Sequence, residues 1–149
     1  AVESLQDPGN LGTMLRAGEG AGLSAILANR GTVDVYNPKL VRATMGSIFR
    51  IPVVYVDDFR EALLTLAWEG IRLYAAALQA SVPYDSIEYP EKTAFLIGNE
   101  AAGLSEEAIA AANQSIHIPM LGQVESLNAA VAASILLYER ARQRRKERA

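Results

Sequence analysis

Short apolar runs alternate along the chain with stretches whose apolar residues recur at helical spacing. Ala1 to Leu5 (AVESL) reads as the tail of an apolar strand, closed by the turn-rich QDPGN. Asn10 suits the N-cap of a helix over LGTMLRAGEG, which Gly20 and Gly22 stop. Leu23 to Ala28 (LSAILA) is almost wholly apolar, as a strand buried on both faces is. Asn37-Pro38 sets a cap before a proline at the first helical position and opens PKLVRATM. Pro52 to Val56 is a third strand. Asp57-Asp58 then caps FREALLTLAWEG, where Phe59, Leu63, Leu66 and Ala67 share a face.

Ile71 to Ala77 is a fourth strand, followed by a looser stretch, Ser81 to Lys92, with two prolines and two tyrosines. Thr93 to Ile97 (TAFLI) is a fifth strand, ended by GNEAAGLS. Ser105 caps EEAIAAANQ, whose leading glutamates suit a positive helix N-terminus. Ser115 to Ile118 is a sixth strand, broken by PMLGQVE. A long last helix is predicted from about Ser126, with Leu127, Val131, Ile135 and Tyr138 on one stripe. This alternation predicts one α/β domain over residues 1–149, with a mostly parallel sheet flanked by helices. The first strand reads as cut short, so the chain is expected to be part of a longer protein.

Composition narrows the chemistry. The 149 residues include no cysteine and one histidine, which removes disulfides, thiolate metal sites and a cysteine nucleophile together. No metal site is expected. His117, between Ile116 and Ile118, reads as a structural residue, and Trp68 and the tyrosines as core or interface. No apolar run approaches a membrane span, and AVESLQDPGN lacks the marks of a signal peptide, so a cytoplasmic protein is expected. The net charge of −3 is unevenly spread: Glu139 to Ala149 holds six basic residues and two acidic ones, leaving 8 basic against 15 acidic in the rest. Such a tail reads as a frayed, solvated helix end, with contact to RNA phosphate the alternative.

Three loops stand out where strands run into helices, the end of an α/β sheet at which ligands gather. They are Asp7 to Gly12, leading to Arg16; Gly98 to Ser105; and Ile118 to Gly122, with Glu125-Ser126-Leu127-Asn128 following. Gly98 and Gly103 would let backbone approach a flat ligand, although two ordinary turn glycines look the same. The GNEAAG stretch is neither GxGxxG nor a phosphate-binding loop with Gly-Lys-Ser/Thr, which argues against nucleoside triphosphates and an ordinary dinucleotide enzyme. Asn10 and Arg16 read equally as a cap and an exposed helix residue. Asn128, at the start of an Ala- and Leu-rich helix, reads as a buried amide in need of partners, which Glu100 and Ser126 could supply.

DPGNLGTMLR (Asp7 to Arg16), LIGNEAAGLS (Leu96 to Ser105) and IPMLGQVESLNAAVAASILLYE (Ile118 to Glu139) resemble, in order and spacing, the three motifs of the SpoU–TrmH family. NPKLVRATMGSIFRIPV (Asn37 to Val53) is similar to that family's middle segment. The resemblance spans roughly Leu5 to Glu139. It implies an RNA ribose 2′-O-methyltransferase that uses S-adenosylmethionine. It further implies a SPOUT-type C-terminal deep trefoil knot and a homodimer with the active site near the subunit interface. Many members carry an additional N-terminal RNA-binding domain, and a chain cut short at its first strand is expected to have left such a domain out. On this resemblance the catalytic set is Arg16, Asn10, Glu100, Ser126 and Asn128, and the cofactor set is Leu96, Gly98, Asn99, Gly103, Ile118, Met120, Ser126 and Leu127. Arginine is a reluctant base, so Arg16 is expected to fix an RNA phosphate or stabilise the developing alkoxide. The segment ATMGSIFRIPV looks closer to the family's ribosomal and resistance-type members, a resemblance that favours ribosomal RNA over transfer RNA as substrate. The rival reading is an RNA-binding module that keeps the fold without catalysis.

Overall fold

A computed structural model describes residues 1–147. Its strands are β1 (Ile26–Asn29), β2 (Val53–Val56), β3 (Arg72–Ala76), β4 (Val82–Pro83), β5 (Thr93–Leu96) and β6 (Gln114–His117). All pairings between them are parallel, in the orders β1-β2 and β4-β6-β3-β5. The chain start joins these two groups into one sheet. Val2 bridges Ala28 on one side and Ile97 on the other, its N–H donating to Leu27 O at 2.7 Å while Glu3 N–H donates to Ile97 O at 2.9 Å. The predicted first strand is thus reduced to a bridge at the centre of the sheet.

The helices are α1 (Pro8–Ala21), α2 (Pro38–Ala43), α3 (Phe59–Trp68), α4 (Glu106–Ala111) and α5 (Ala129–Glu147). Successive strand residues face opposite sides, so the sheet carries two cores. Tyr74, Phe95, Ile97, Ile26 and Ala28 meet Leu11, Leu15, Leu40 and Leu136 from α1, α2 and α5. Leu73, Ala75 and Leu96 meet Phe59, Leu63 and Ala108 from α3 and α4. On the first side Tyr89 stands edge-on to Tyr74 and Phe95, with ring centroids 4.9 and 5.1 Å apart.

Several boundaries differ from the sequence reading. Asn10 does not cap α1: Asp7 does, accepting from Asn10 N–H at 3.0 Å, with Pro8 opening the helix. The last helix starts three residues later than expected, which leaves Ser126 and Leu127 in the preceding loop. Its buried face is Ala130, Ala133, Leu136, Arg140 and Ala141, whereas Val131 and Tyr138 of the expected stripe are 47% and 48% exposed. Alanines all round this helix leave its apolar periodicity ambiguous. Trp68 is almost fully exposed and belongs to no core. Up to Glu147 the basic tail is helical, with most of its cations solvent-exposed as expected; buried Arg140 forms paired bonds to Glu147 at 3.0 and 3.3 Å, and Arg142 pairs with Glu139 at 2.7 Å. Arg148 and Ala149 lie outside the described residues.

Candidate active site

Parallel strands place their following loops at one end of the sheet. The central bridge at Val2 therefore sets the loop before α1 beside the loop after β5. Residues 98–104 form a tight turn in which Asn99 and Gly103 exchange backbone hydrogen bonds of 3.0 and 2.9 Å. Gly103 adopts φ +72°, and Gly98 packs so closely that a Cβ on it would lie 2.1 Å from the Gly103 carbonyl carbon. The Asn99 side chain is consumed internally. Its Oδ1 accepts from the N–H groups of Ala101 and Ala102, and its Nδ2 donates to Ser4 O at 2.8 Å.

This turn presents Glu100 to the start of α1. Asp7 N–H donates to Glu100 Oε1 at 3.1 Å, Gln6 N–H to Oε2 at 3.2 Å, and Asn10 Nδ2 to Oε1 at 3.1 Å. Partial burial disfavours the Glu100 carboxylate, but the hydrogen bonds it receives from backbone and from Asn10 outweigh that, and its pKa falls below the usual glutamate value. Asn10 Oδ1 in turn accepts from Asn128 Nδ2 at 2.9 Å. Asn128 Oδ1 caps α5, accepting from Ala130 and Val131 N–H at 2.9 and 3.2 Å. A carboxylate can only accept, so Glu100 dictates which way Asn10 points, and Asn10 dictates Asn128. Each amide keeps one N–H outside this chain of bonds. Asn128 is exposed, contrary to the buried amide expected from sequence: its place before the helix, as cap, explains an asparagine there without burial.

Beside this polar chain opens a cavity of about 640 Å³. Of the expected cofactor residues, Gly98, Asn99, Gly103, Ile118, Met120, Ser126 and Leu127 line it, as do Glu100 and Asn128. Leu96 does not. It is fully buried against the α3–α4 side of the sheet, because its strand position turns it to the opposite face. Arg16 does not either. It lies exposed on α1, and among the described residues it has no hydrogen-bond or ion-pair partner. Asn10, Glu100 and Asn128 are brought together, while Arg16 stands apart from them within one chain.

Three residues that carry no sequence signal for ligand contact also contribute. Leu78 and Gln79, after β3, form one cavity wall, in a stretch with no marked pattern. His117 also lines the cavity, and its Nδ1 lies 2.8 Å from Ser81 Oγ, which fixes the ring in place. The Asp7-Pro8 cap had a readable signal, the same cap-then-proline pair that marks Asn37-Pro38. Among the described residues no cluster of His, Cys, Asp and Glu could hold a metal ion, and no helix is long and apolar enough to cross a membrane.

Comparison with known proteins yields consistent matches. The family model described as the SpoU rRNA Methylase family matches residues 1–138. A 23S rRNA (guanosine(2553)-2′-O)-methyltransferase of Bacillus subtilis is 42% identical over 143 residues, covering 92% of this chain and 55% of that protein. A tRNA (guanosine(18)-2′-O)-methyltransferase of Thermus thermophilus is 37% identical over 146 residues, covering 97% of this chain and 74% of that protein. The SpoU methyltransferase AviRb of Streptomyces viridochromogenes, solved in complex with AdoMet, superposes with a TM-score of 0.89. It is 33% identical, over 96% of this chain and 56% of that one. The chain thus spans little more than half of two of these three proteins.

Proposed function

The chain belongs to the SpoU rRNA Methylase family, and from that membership we propose that it transfers a methyl group from S-adenosylmethionine to a ribose 2′-hydroxyl of structured RNA. The observation that carries this reading is the Glu100–Asn10–Asn128 hydrogen-bond chain at the mouth of the cavity. The cavity suits the cofactor: its volume falls in the range of small-molecule sites, and apolar side chains such as Ile118 and Leu127 share its walls with polar groups such as Glu100, Ser126 and Asn128. Ile118, Leu127 and the glycine turn would flank adenine, while Glu100, Ser126 and Asn128 offer polar contacts. Bound there, S-adenosylmethionine would supply an already activated methyl group, so positioning and electrostatics are the protein's share. The free N–H of Asn128 and the fixed Glu100 carboxylate would hold the ribose and orient its hydroxyl.

Arg16 is the missing cation, and we place it across a subunit boundary. It lies on an exposed face of α1 with Gly9, Thr13 and Gly20, small residues that allow close helix approach. Tyr138 of α5 borders that face: a Cβ on Gly20 would come within 2.6 Å of its hydroxyl. With exposed Val131, these residues form a surface suited to a second copy of the chain, whose site would then receive Arg16. There the guanidinium would fix an RNA phosphate or stabilise the alkoxide as the proton leaves. In the same reading the segment 118–128, which lines the same cavity as the 98–104 turn, is the threaded part of a trefoil knot. Ribosomal RNA is the favoured substrate, since a 23S rRNA enzyme is 42% identical, with transfer RNA second; the same reading places the enzyme in the cytoplasm.

Calorimetric titration with S-adenosylhomocysteine, alongside mass by light scattering, tests the proposal. One saturable site per subunit of a dimer is expected. A folded dimer that binds no S-adenosylhomocysteine would refute the enzyme reading, and binding without methyl transfer to any RNA would leave the non-catalytic module.

A further inference from the structure

A second basic region lies far from the C-terminal tail. Residues 30–50 carry Arg30, Lys39, Arg42 and Arg50 against Asp34, whereas residues 51–138 carry three basic residues against eleven acidic ones; in the fold Arg30 pairs with Asp57 at 2.8 Å and Arg50 with Glu19, which leaves exposed Lys39 and Arg42 as the cations the region offers. Within this region three large apolar side chains face solvent: Tyr36 is 77% exposed, Met45 69% and Phe49 85%. Single exposed apolar residues are ordinary; three interleaved with cations in one segment are not. The backbone beneath them is firmly held. Gly12 of α1 lets Ala43 approach so closely that a Cβ there would lie 2.6 Å from the Ala43 Cβ. Thr44, fully buried, donates to Val41 O at 2.7 Å, and Ser47 Oγ donates to Glu19. Arg50 Nη2 donates to Glu19 Oε2 at 2.9 Å. Met45 sits at φ 50° directly before Gly46 at φ 88°, a conformation a non-glycine residue keeps only when its surroundings impose it.

This surface adjoins the candidate active site. Lys39 Nζ lies 4.0 Å from Asp7 Oδ2, and the Asp7 N–H is one of the donors to Glu100. We propose that Tyr36, Met45 and Phe49, with Lys39 and Arg42, form a stacking platform for single-stranded RNA beside the nucleotide that is methylated. Unpaired bases offer π-faces that aromatic side chains stack against whatever the sequence, and cations alongside hold the phosphates. Arg50, tied to Glu19, fixes the turn that presents Phe49. Exposed Lys39 and Arg42 favour RNA here, because the rest of the body before the tail is acidic and would repel it. The inference rests on the RNA substrate proposed above and adds where the strand next to the target lies.

The test uses the full chain saturated with S-adenosylhomocysteine and a fluorescein-labelled single-stranded oligoribonucleotide of roughly 10 nucleotides, within the span such surfaces cover. Fluorescence anisotropy is read across a salt series. Phe49→Ala is expected to weaken binding roughly 5- to 150-fold, the range for loss of one stacked base, with the salt slope unchanged. Phe49→Trp should restore it. Arg42→Gln should instead reduce the salt slope by about one. S-adenosylhomocysteine affinity and the mass in solution should stay as in the wild type. Wild-type affinity in Phe49→Ala would overturn the inference, and so would a fall in mass, which would make this face a contact between copies. If the wild type binds S-adenosylhomocysteine but not the oligoribonucleotide, the platform is overturned, while the proposed function fails only if no structured RNA is methylated.

Discussion

Replacing Gly98 with alanine tests whether the 98–104 turn is what holds the site together. The added Cβ would lie 2.1 Å from the Gly103 carbonyl carbon, 2.3 Å from Leu104 N and 2.4 Å from Gly103 O. All three atoms are backbone, so no side chain can swing aside to make room. Relief requires the two arms of the turn to part, and the reciprocal Asn99–Gly103 hydrogen bonds go with them. Overpacking of this kind costs about 1–3 kcal/mol, and two backbone hydrogen bonds add about 0.5–1.5 kcal/mol each, so a loss of about 3 kcal/mol is expected. With a urea slope of roughly 2 kcal/mol/M, the unfolding midpoint should fall by about 1.5 M.

The chemical consequence should be separable from the stability loss. Parting the turn moves Glu100 away from the N–H groups of Gln6 and Asp7 and opens one wall of the cavity. In buffer without urea, where the variant remains folded by circular dichroism, S-adenosylhomocysteine affinity should fall at least tenfold, about 1.4 kcal/mol. Gly122→Ala is the matched control. It is exposed with nothing within 4 Å of its Cβ position, and should leave stability within about 0.5 kcal/mol. A Gly98→Ala protein as stable as Gly122→Ala, with unaltered ligand affinity, would refute the close-packed turn and its part in the site.

Other perturbations separate roles that overlap at single residues. Asn128→Ala should cost about 1 kcal/mol through the lost α5 cap, while Asn128→Asp keeps the cap but sets a second carboxylate against Asn10. Normal stability with impaired methyl transfer is expected for the latter, and normal transfer would remove the polar chain from the mechanism. Arg16→Ala should abolish transfer without changing S-adenosylhomocysteine affinity. Mixed with Asn128→Ala chains it should regain about a quarter of wild-type activity, since half of randomly paired dimers then hold one intact site; no recovery would place Arg16 in its own chain's site. The Glu19 carboxyl, held by hydrogen bonds from Arg50 and then Ser47, is pulled down from 4.5 to about 2. A depressed folded pKa gives stability that is present above 4.5 and lost as pH falls towards about 2, so Glu19→Gln should cost more at about pH 7 than at about pH 2. Equal urea midpoint shifts at both would refute that linkage.

Much of the fold was legible because local chemistry and the final structure agree. Asn37, Asp58 and Ser105 cap helices as their residue types suggest, and the short apolar runs are parallel strands. The errors have local physical causes. Asp7-Pro8 and Asn10 both look like helix starts, and the proline decides in favour of Asp7, since its fixed φ suits the first helical position. The Ala-rich α5 has no distinct stripe, so packing against α1 and β5, absent from the sequence pattern, selects the buried face. The side on which Leu96 lies depends on strand register: one residue along the strand exchanges cavity for core.

The site itself could be assembled only in part from local signals, because its hydrogen bonds join residues 90 and 118 positions apart. What brings them together is the order of the sheet. Val2 sits between β1 and β5, so the loop leading to Asn10 emerges beside the turn carrying Glu100, and α5 starts where both can reach its cap. The same amides then serve two ends. Asn128 stabilises a helix and, through Asn10, is oriented by a carboxylate; loss of either partner would release a side chain that both the fold and the chemistry use. That shared duty accounts for the presence of these three polar residues beside the cavity. It also makes Asn128→Asp, which keeps one duty and breaks the other, the sharper probe of the two asparagine variants.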